Sequence, residues 1–402
     1  MTLTTSERTA AANPARLQNT TRRAISRAAK DLWPDRRILL GKTCPSVTSF
    51  VSRIRVGDED LIAKYSWLGM SLVSVLRGAG GSWKEVQETQ EVYLRSTDLV
   101  TAREAANLDL LRRLGRPQVC ETAALHQGVL FTRIVPGTTL ADELTARPWD
   151  TGDLLDAVLV ALGDLHGPEG ARLLSGAPTI AERSVVGVFR RKFNGLSAGT
   201  YLRTLGQDSG LPEYVRQDVV ELVQQTVWRL LRMSSAISPG RKVAVYGDLK
   251  PEHVYVDGPS LHFIDPAVQW AGGRQTDIAK LIGRTLLLAI SHPDRQAGQQ
   301  MVRGIASTLA QQAAGPTDRE RARWLREVLV LWLMDTVSIL TSCLSAPPGL
   351  PLTADQQALV TQAHTVAGIV NRVSALLTGT MAGPRLLDVV FSEVERTTGR
   401  KW

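Results

Sequence analysis

With 402 residues, 44% hydrophobic and 21% charged, the chain has the composition of a folded globular protein and the length for two lobes. Its three cysteines, Cys44, Cys120 and Cys343, are far apart and match no metal-ligand spacing, which favours a reducing, cytoplasmic setting. The net charge of +8 is concentrated near the start, where residues 1–37 carry eight basic and three acidic side chains.

The first segment, residues 1–36, is predicted to be a basic N-terminal arm. It has no apolar run of the kind that a signal peptide needs. A solvated, partly helical tail and a contact for a nucleic acid or an acidic protein partner are the alternatives. Nucleic acid is disfavoured because the rest of the chain has no basic stripe interleaved with aromatic residues.

Residues 37–135 are predicted to form a small β-rich N-lobe that binds a nucleotide. The stretch RILLGKTCPSVTSFVSRIRVGDEDLIAKYS reads as three strands, with a tight turn at Gly57-Asp58. The insert 67–98 contains a loose stretch rich in Gly and Ser, in which a short helix is expected. The segment TAREAANLDLLRRLG predicts a helix that ends at Gly115. The strand QGVLFTRIV then leads into a hinge at Pro136-Gly137.

Residues 136–402 are predicted to form a larger, mostly helical C-lobe, so the fold class is α+β. The apolar run 327–344 contains Asp335 and is short for a membrane span, which favours a buried helix. Helices are predicted at 153–167 and near 212–233, 276–291, 294–313, 317–344, 354–377 and 384–397.

One stretch interrupts these helices: VAVYGDLKPEHVYVDGPSLHFIDPAVQW, residues 243–270. It reads as two short strands around a loop with Asp248, Lys250 and His253, and Asp265 follows on the next strand. The stretch is either a charged surface hairpin or a site for a phosphate and its metal ion. Apolar flanks predict burial, and buried carboxylates need a partner such as a divalent cation. We therefore expect Asp265 and His253 to bind metal. If the site transfers a phosphoryl group, we expect Asp248 to act as the base for the attacking hydroxyl and Lys250 to neutralise charge on the phosphoryl group.

On the N-lobe, Lys64 ends the third predicted strand, where it could reach the phosphates of a nucleotide. Glu104 could pair with Lys64 and hold it extended. The same glutamate also fits a capping box with Thr101 at the start of its helix. Both interpretations stay open at the level of sequence.

The loop that begins at Gly41 is the weakest part of this nucleotide site. Its backbone amides and the hydroxyls of Thr43, Ser46 or Ser49 could cover a phosphate. The GKT sequence here is no Walker A motif, because the upstream glycine spacing is missing.

Together, YGDLKPEHVYVD and LHFIDP resemble the catalytic and metal-binding loops of the aminoglycoside phosphotransferase-like kinases, which share the protein-kinase fold. LIAK, REAANLDLLRRLG, FTRIVPGTTL and LGDLHG follow in that family's order, so the resemblance covers roughly residues 37–290. It implies a bilobal protein-kinase-like fold and the cofactors ATP and Mg²⁺, with the nucleotide between the lobes. It also implies that Asp277 braces the catalytic loop, although that residue fits a helix cap as well. By the same resemblance, Asp248 is the base or orienting carboxylate, Asp265 is the chief metal ligand, and Lys64 with Glu104 grips the nucleotide phosphates. Beside these residues, we expect Gly41, Ser46 and Ile134 in the nucleotide site, Lys250 in catalysis and His253 as a further metal ligand.

The sequence departs from the family pattern at two places: Tyr246 stands where the family has histidine, and His253 where it has asparagine. Because Mg²⁺ prefers oxygen ligands, an imidazole there weakens one metal contact or favours Mn²⁺. The alternative function is therefore a catalytically silent kinase-like fold that binds a nucleotide or a protein partner, for example in a peptide-modification complex.

Only a dozen residues separate Asp265 from the next predicted helix, too few for the activation segment of a switchable protein kinase.

The acceptor is predicted to be a hydroxyl of a sugar-like small molecule, an antibiotic or a peptide Ser/Thr. Residues 141–402 carry 27 basic and 26 acidic side chains, which is no acidic excess for a polycationic aminoglycoside. No membrane partner is expected.

Overall fold

The computed structural model describes residues 13–398 except 195, 238–241, 314, 316, 380 and 382. The chain divides into two compact units. Unit 1 holds the described residues up to Asp109 together with Cys120–Val135 and Ser345–Ala354. Unit 2 holds Leu110–Val119, Pro136–Leu344 and the described residues from Asp355 onward.

Unit 1 is built around an antiparallel sheet of five strands in the order β1-β2-β3-β6-β5. The three strands predicted at its start are present, with alternating burial along β2, whose apolar side chains enter the core. The insert 67–98 is more ordered than its composition suggests, since it contains two helices. The elements up to Arg133 are α1 (Pro14–Leu32), β1 (Ile38–Cys44), β2 (Phe50–Val56), β3 (Glu59–Tyr65), α2 (Leu72–Leu76), α3 (Trp83–Tyr93), α4 (Val100–Leu114), β4 (Gln118–Val119), β5 (Thr122–His126) and β6 (Val129–Arg133), of which β4 and the end of α4 belong to unit 2.

The described part of the basic arm is a packed helix, α1, rather than a solvated tail. Ile25, Ala28 and Ala29 are fully buried in the core of unit 1. The Trp67 indole also donates a 2.8 Å hydrogen bond to the hydroxyl of Thr21. A helix whose apolar side is buried in this way contributes to the stability of unit 1. Residues 1–12 of the arm lie outside the described residues.

Unit 2 is mostly helical, and its small strands carry the loops of interest. The first strand of the quoted stretch, β8, pairs with β11 and not with the strand after the loop; β9 and β10 form their own hairpin. Its elements are β7 (Thr138–Thr139), α5 (Leu140–Ala146), α6 (Thr151–Ala161), α7 (Gly163–His166), α8 (Pro168–Leu174), α9 (Val185–Phe193), α10 (Leu196–Arg203), α11 (Glu213–Met233), β8 (Val243–Val245), β9 (Val254–Asp257), β10 (Ser260–Phe263), β11 (Gln269–Ala271), α12 (Gln275–Ser291), α13 (Arg295–Gln312), α14 (Asp318–Leu344), α15 (Ala354–Thr361), α16 (Ala363–Thr378) and α17 (Pro384–Thr397).

Two long helices of unit 2, α12 and α14, pack closely. A Cβ atom at Gly283 of α12 would lie 2.6 Å from the Trp332 ring of α14, so the approach requires glycine. Helix α14 is the one described helix long and apolar enough to cross a membrane, and 83% of its most apolar window is buried inside the protein. Packing within unit 2 therefore accounts for its apolar surface, as the sequence predicted. The α+β class, with a small β-rich lobe and a large helical lobe, is confirmed.

Candidate active site

The loop that carries Asp248 is held in place by a fully buried carboxylate, Asp277, in the first turn of α12. Asp277 accepts backbone N–H bonds from Tyr246 at 2.7 Å and from Gly247 at 2.8 Å. Its Oδ2 also lies 2.9 Å from Nε2 of His166. The helix-cap alternative is wrong, because Arg274 occupies the N-cap and no side chain caps the helix. Asp277 braces the loop.

Tyr246 and Gly247 join this loop to the segment that carries Asp265. The Tyr246 hydroxyl donates a 2.7 Å bond to the carbonyl oxygen of Ile264. At Gly247, φ is +82° and a Cβ atom would lie 2.1 Å from the carbonyl oxygen of Ala267. Only glycine tolerates both the positive φ and this approach. The tyrosine that departs from the family pattern thus supports the peptide next to Asp265.

The three residues predicted around the metal converge. One ligand atom from each of Asp248, His253 and Asp265 lies within 4.8 Å of the others. Nε2 of His253 is 3.3 Å from Oδ2 of Asp265. Nδ1 of His253 is 3.1 Å from the carbonyl oxygen of Asp248, which can only accept, so Nδ1 carries a proton. In the neutral ring, the Nε2 lone pair then faces Asp265, as in metal-binding histidines.

This donor set fits a divalent cation. Two carboxylates and one imidazole nitrogen suit Mn²⁺, whereas Mg²⁺ would prefer oxygen at all positions. Asp265 and His253 would hold the ion, with Asp248 beside it. When bound, the ion would supply positive charge for the oxygens of a phosphate.

The backbone at Asp265 is unusual. Its φ is +62°, one of three positive φ values at described non-glycine residues. The sequence predicted Asp265 to lie on the strand after the loop. In the structure it lies two residues beyond the end of that strand, β10. A left-handed conformation at a non-glycine residue costs on the order of 1–3 kcal/mol and clusters at functional sites. This conformation places the carboxylate beside His253.

Asp248 is enclosed by cations. Its Oδ1 accepts a 2.5 Å bond from the Lys280 ammonium, and its Oδ2 lies 3.7 Å from Nζ of Lys250. Burial by itself would raise the pKa of Asp248. Lys250 and Lys280, with smaller effects from His253 and Arg183, outweigh it and hold that pKa well below its usual value. Asp248 is therefore a carboxylate at neutral pH, suited more to orienting a hydroxyl than to keeping its proton.

Lys280 belongs to a buried chain of charges that the sequence analysis missed. Its ammonium lies 3.9 Å from Oδ1 of Asp335 on α14, and Oδ2 of Asp335 accepts a 2.8 Å bond from Nε of Arg284. Lys280 follows Asp277 by about one helical turn, a local signal that would have placed it near the loop. Asp335 carried no such signal, since it reaches the site only through helix packing.

The residues predicted to bind nucleotide all belong to unit 1. Lys64 on β3 donates a 2.6 Å bond to Glu104 on α4, and both side chains are buried. The Thr101 hydroxyl donates instead to the carbonyl oxygen of Gly128 at 3.0 Å. The predicted ion pair is present, and the capping box at Thr101 was the wrong interpretation. Such a pair holds a lysine extended, as a phosphate-binding lysine requires.

The hydroxyl groups of the loop after Gly41 differ in their hydrogen bonding. The Ser46 hydroxyl accepts backbone bonds from Thr48 and Ser49, both at 3.3 Å, and so serves its own turn. The buried hydroxyl oxygens of Thr43 and Ser49 have no hydrogen-bond partner among the described residues, as expected of groups that await a ligand.

Gly41 and Ile134 are the other two residues of the predicted nucleotide site. Gly41 lies on β1, where a Cβ atom would lie 3.0 Å from the carbonyl oxygen of Arg53. Ile134 follows β6 and is exposed, which suits an apolar contact for a flat ring. The nucleotide roles of Gly41, Ser46 and Ile134 stay predictions.

The thiols permit a first prediction. Burial is the main cause that raises the pKa of Cys120 to about 12, with a contribution from nearby Glu104, and burial raises that of Cys343 to about 11. Because the thiolate is the reactive form, we expect both to react with Ellman's reagent at pH 8 at least ~100-fold more slowly than an exposed thiol. Half-buried Cys44 should react first. A Cys44→Ser variant should lose the fast phase, and two or three fast thiols would contradict the burial described.

The chain is similar to known proteins in structure rather than in sequence. No family model and no curated protein sequence match the chain. Among solved structures, it is similar to the aminoglycoside phosphotransferase APH(4)-Ia, with 10% identity, a TM-score of 0.44, and coverage of 87% of this chain and 98% of the other. It is also similar to a choline kinase from Cryptosporidium parvum, with 12% identity, a TM-score of 0.42, and coverage of 88% and 95%. A third similar structure is a Plasmodium vivax ethanolamine kinase, with 13% identity, a TM-score of 0.39, and coverage of 83% of this chain and 85% of the other.

These similar structures are phosphotransferases and kinases of the group that the sequence motifs resemble.

Proposed function

We propose that the chain is an ATP-dependent phosphotransferase that phosphorylates a hydroxyl group. The observation that carries the proposal is the convergence of Asp248, His253 and Asp265 within 4.8 Å in a braced loop. Phosphoryl transfer needs a carboxylate for the acceptor hydroxyl, cations for the phosphate oxygens and ligands for a metal. Unit 2 supplies all three kinds of group around Asp248.

Each residue has a distinct part in the proposed reaction. Asp248 orients the acceptor hydroxyl, and its two lysine partners fix the plane of the carboxylate. Lys250, one quarter exposed, neutralises charge on the transferred group. Lys64, held by Glu104, binds nucleotide phosphates. The divalent ion, Mg²⁺ or Mn²⁺, supplies further positive charge when Asp265 and His253 hold it.

The acceptor is proposed to be a small molecule, antibiotic or sugar-like, or a peptide Ser/Thr. Near-equal numbers of acidic and basic groups in residues 141–402 do not favour a polycation. We also propose a cytoplasmic setting and a protein partner at the basic arm.

The second candidate is a catalytically silent kinase-like fold that binds a nucleotide or a protein partner. One observation favours it: the 2.5 Å bond from Lys280 occupies one oxygen of the candidate base. Metal-dependent turnover of ATP separates the two functions, because a silent fold would bind nucleotide without releasing ADP.

Replacement of Asp265 by Asn tests the proposed function directly. We expect ATP with Mn²⁺ or Mg²⁺ to raise the melting temperature of the wild-type protein and to give slow ADP release. Asp265→Asn should lose both effects, since it removes a charged metal ligand. Asp257→Asn, at the exposed end of β9 in the same hairpin, is the matched control and should keep both. Stabilisation of the wild-type protein without ADP release would support the silent fold. If the wild-type protein shows neither stabilisation nor ADP release, nucleotide binding is refuted.

A further inference from the structure

Arg183 lies at the candidate active site although no sequence motif pointed to it. It ends a short 3-10 turn, Ala181–Arg183, that precedes α9. The turn is attached to the metal-binding segment, because the backbone N–H of buried Ile180 donates a 3.0 Å bond to the carbonyl oxygen of Val268. Val268 follows Asp265 by three residues. The position of Arg183 is thus tied to the backbone that carries Asp265.

The guanidinium group of Arg183 is held next to carboxylates without hydrogen-bonding them. Its Nη1 lies 3.7 Å from Oδ1 of Asp265, beyond hydrogen-bond distance, and its guanidinium group makes no hydrogen bond to any other described residue. Its positive charge also contributes to the lowered pKa of Asp248. Only 17% of the side chain is exposed. The guanidinium group is therefore close to the carboxylates of the site but keeps its N–H donors for another acceptor, and a planar fork of charged donors suits an anion.

We propose that Arg183 donates hydrogen bonds to the non-bridging oxygens of the γ-phosphoryl group of the nucleotide, and that it is a catalytic residue. The proposal rests on the proposed phosphotransferase function. A planar fork of N–H donors suits two oxygens of one phosphoryl group, and its charge opposes the negative charge that these oxygens share in the transition state. The alternative is a purely structural counter-charge for Asp265.

The reaction balances without a proton from Arg183. The bond between the γ-phosphorus and the β–γ bridging oxygen breaks, and its electron pair stays on ADP. The acceptor oxygen forms the new bond to phosphorus, and its proton passes to Asp248 and then to solvent. The guanidinium group of Arg183 neither gains nor loses a proton in these steps.

The test compares nucleotides that differ in the γ-phosphoryl group. Calorimetric titration of the full chain would measure the affinities for AMP-PNP and for ADP, both in the presence of Mn²⁺. A separate titration without nucleotide would measure the affinity for Mn²⁺ alone. Arg183→Gln should weaken AMP-PNP binding by roughly 10- to 100-fold and leave the other two affinities unchanged. Arg183→Lys keeps the charge without the fork and should give an intermediate loss; it carries the test if the glutamine variant does not fold. Arg172→Gln, an exposed arginine of α8 in the same unit, is the control.

Three results would overturn the proposal. Equal loss for AMP-PNP and ADP would mean a general effect on nucleotide binding. Loss of Mn²⁺ affinity alone would assign Arg183 the structural role beside Asp265. Unchanged AMP-PNP affinity in both variants would refute the contact between Arg183 and the γ-phosphoryl group without affecting the proposed function. If the wild-type protein binds neither nucleotide, the proposed function fails together with this inference.

Discussion

Replacement of Asp248 by Asn is expected to abolish phosphoryl transfer while nucleotide binding is retained. Asparagine has nearly the same shape but neither the charge nor the acceptor capacity of a carboxylate, so the acceptor hydroxyl loses its orienting group. Positioned carboxylates of this kind contribute roughly 10²- to 10⁴-fold to rates. ADP release and the affinity for AMP-PNP, measured on the same preparation, check the two halves of the prediction.

The control for this variant is again Asp257→Asn, which changes an exposed carboxylate of the neighbouring hairpin. It should leave both ADP release and nucleotide affinity unchanged. Turnover retained by Asp248→Asn would refute the role assigned to Asp248. Loss of nucleotide binding together with turnover would instead indicate that the loop had lost its fold, because Asp248 also neutralises Lys280.

Replacement of Lys280 by Met is expected to destabilise the protein by about 3–5 kcal/mol. The substitution leaves Asp248 without its closest cation and Asp335 with Arg284 alone, and removal of one partner from a buried ion pair costs about this much. Urea unfolding at pH 7 measures the change. Lys84→Met is the matched control: its pair with Glu88 at 3.7 Å is exposed, so the expected change is below about 1 kcal/mol.

The same variant has a definite pH dependence. A carboxylate with a lowered pKa in the folded state stabilises the protein above its ordinary pKa, and this contribution is lost as the pH falls toward the lowered value. Lys280 is one cause of the lowered pKa of Asp248. The difference in stability between wild type and Lys280→Met should therefore shrink as the solution is acidified below the usual carboxyl range. A difference that stays constant or grows on acidification would exclude this pair as its cause.

Features encoded in local sequence could be predicted well. Hydrophobic spacing located α12 and α14 to within about one residue, and the convergence of Asp248, His253 and Asp265 followed from one short stretch of chain. Strand pairing could not be read in the same way: β8 pairs with β11 across 23 residues of intervening loops and hairpin, for which no turn signal exists.

The parts of the site that were missed share one physical cause. Arg183 and Asp335 are more than sixty residues from Asp248 in sequence, and only the packing of their own turn and helix brings them near it. The packing of helix α1 does not follow from its net charge, because its buried residues Ile25, Ala28 and Ala29 lie on an apolar side that a charge count does not show. The insert contains two helices where one short helix was expected, because the neighbouring glycines conceal the capping box at Ser82 and Glu85 that begins α3.

The left-handed backbone at Asp265 implies a conflict between folding and activity at a single position. A chain selected only for stability would carry glycine there, because glycine adopts a positive φ without the steric cost that a side chain brings. Glycine has no group to offer a metal ion. Stabilising substitutions sought by screening for thermal resistance alone would therefore tend to remove this carboxylate, and with it the chemistry that the surrounding loops are built to hold.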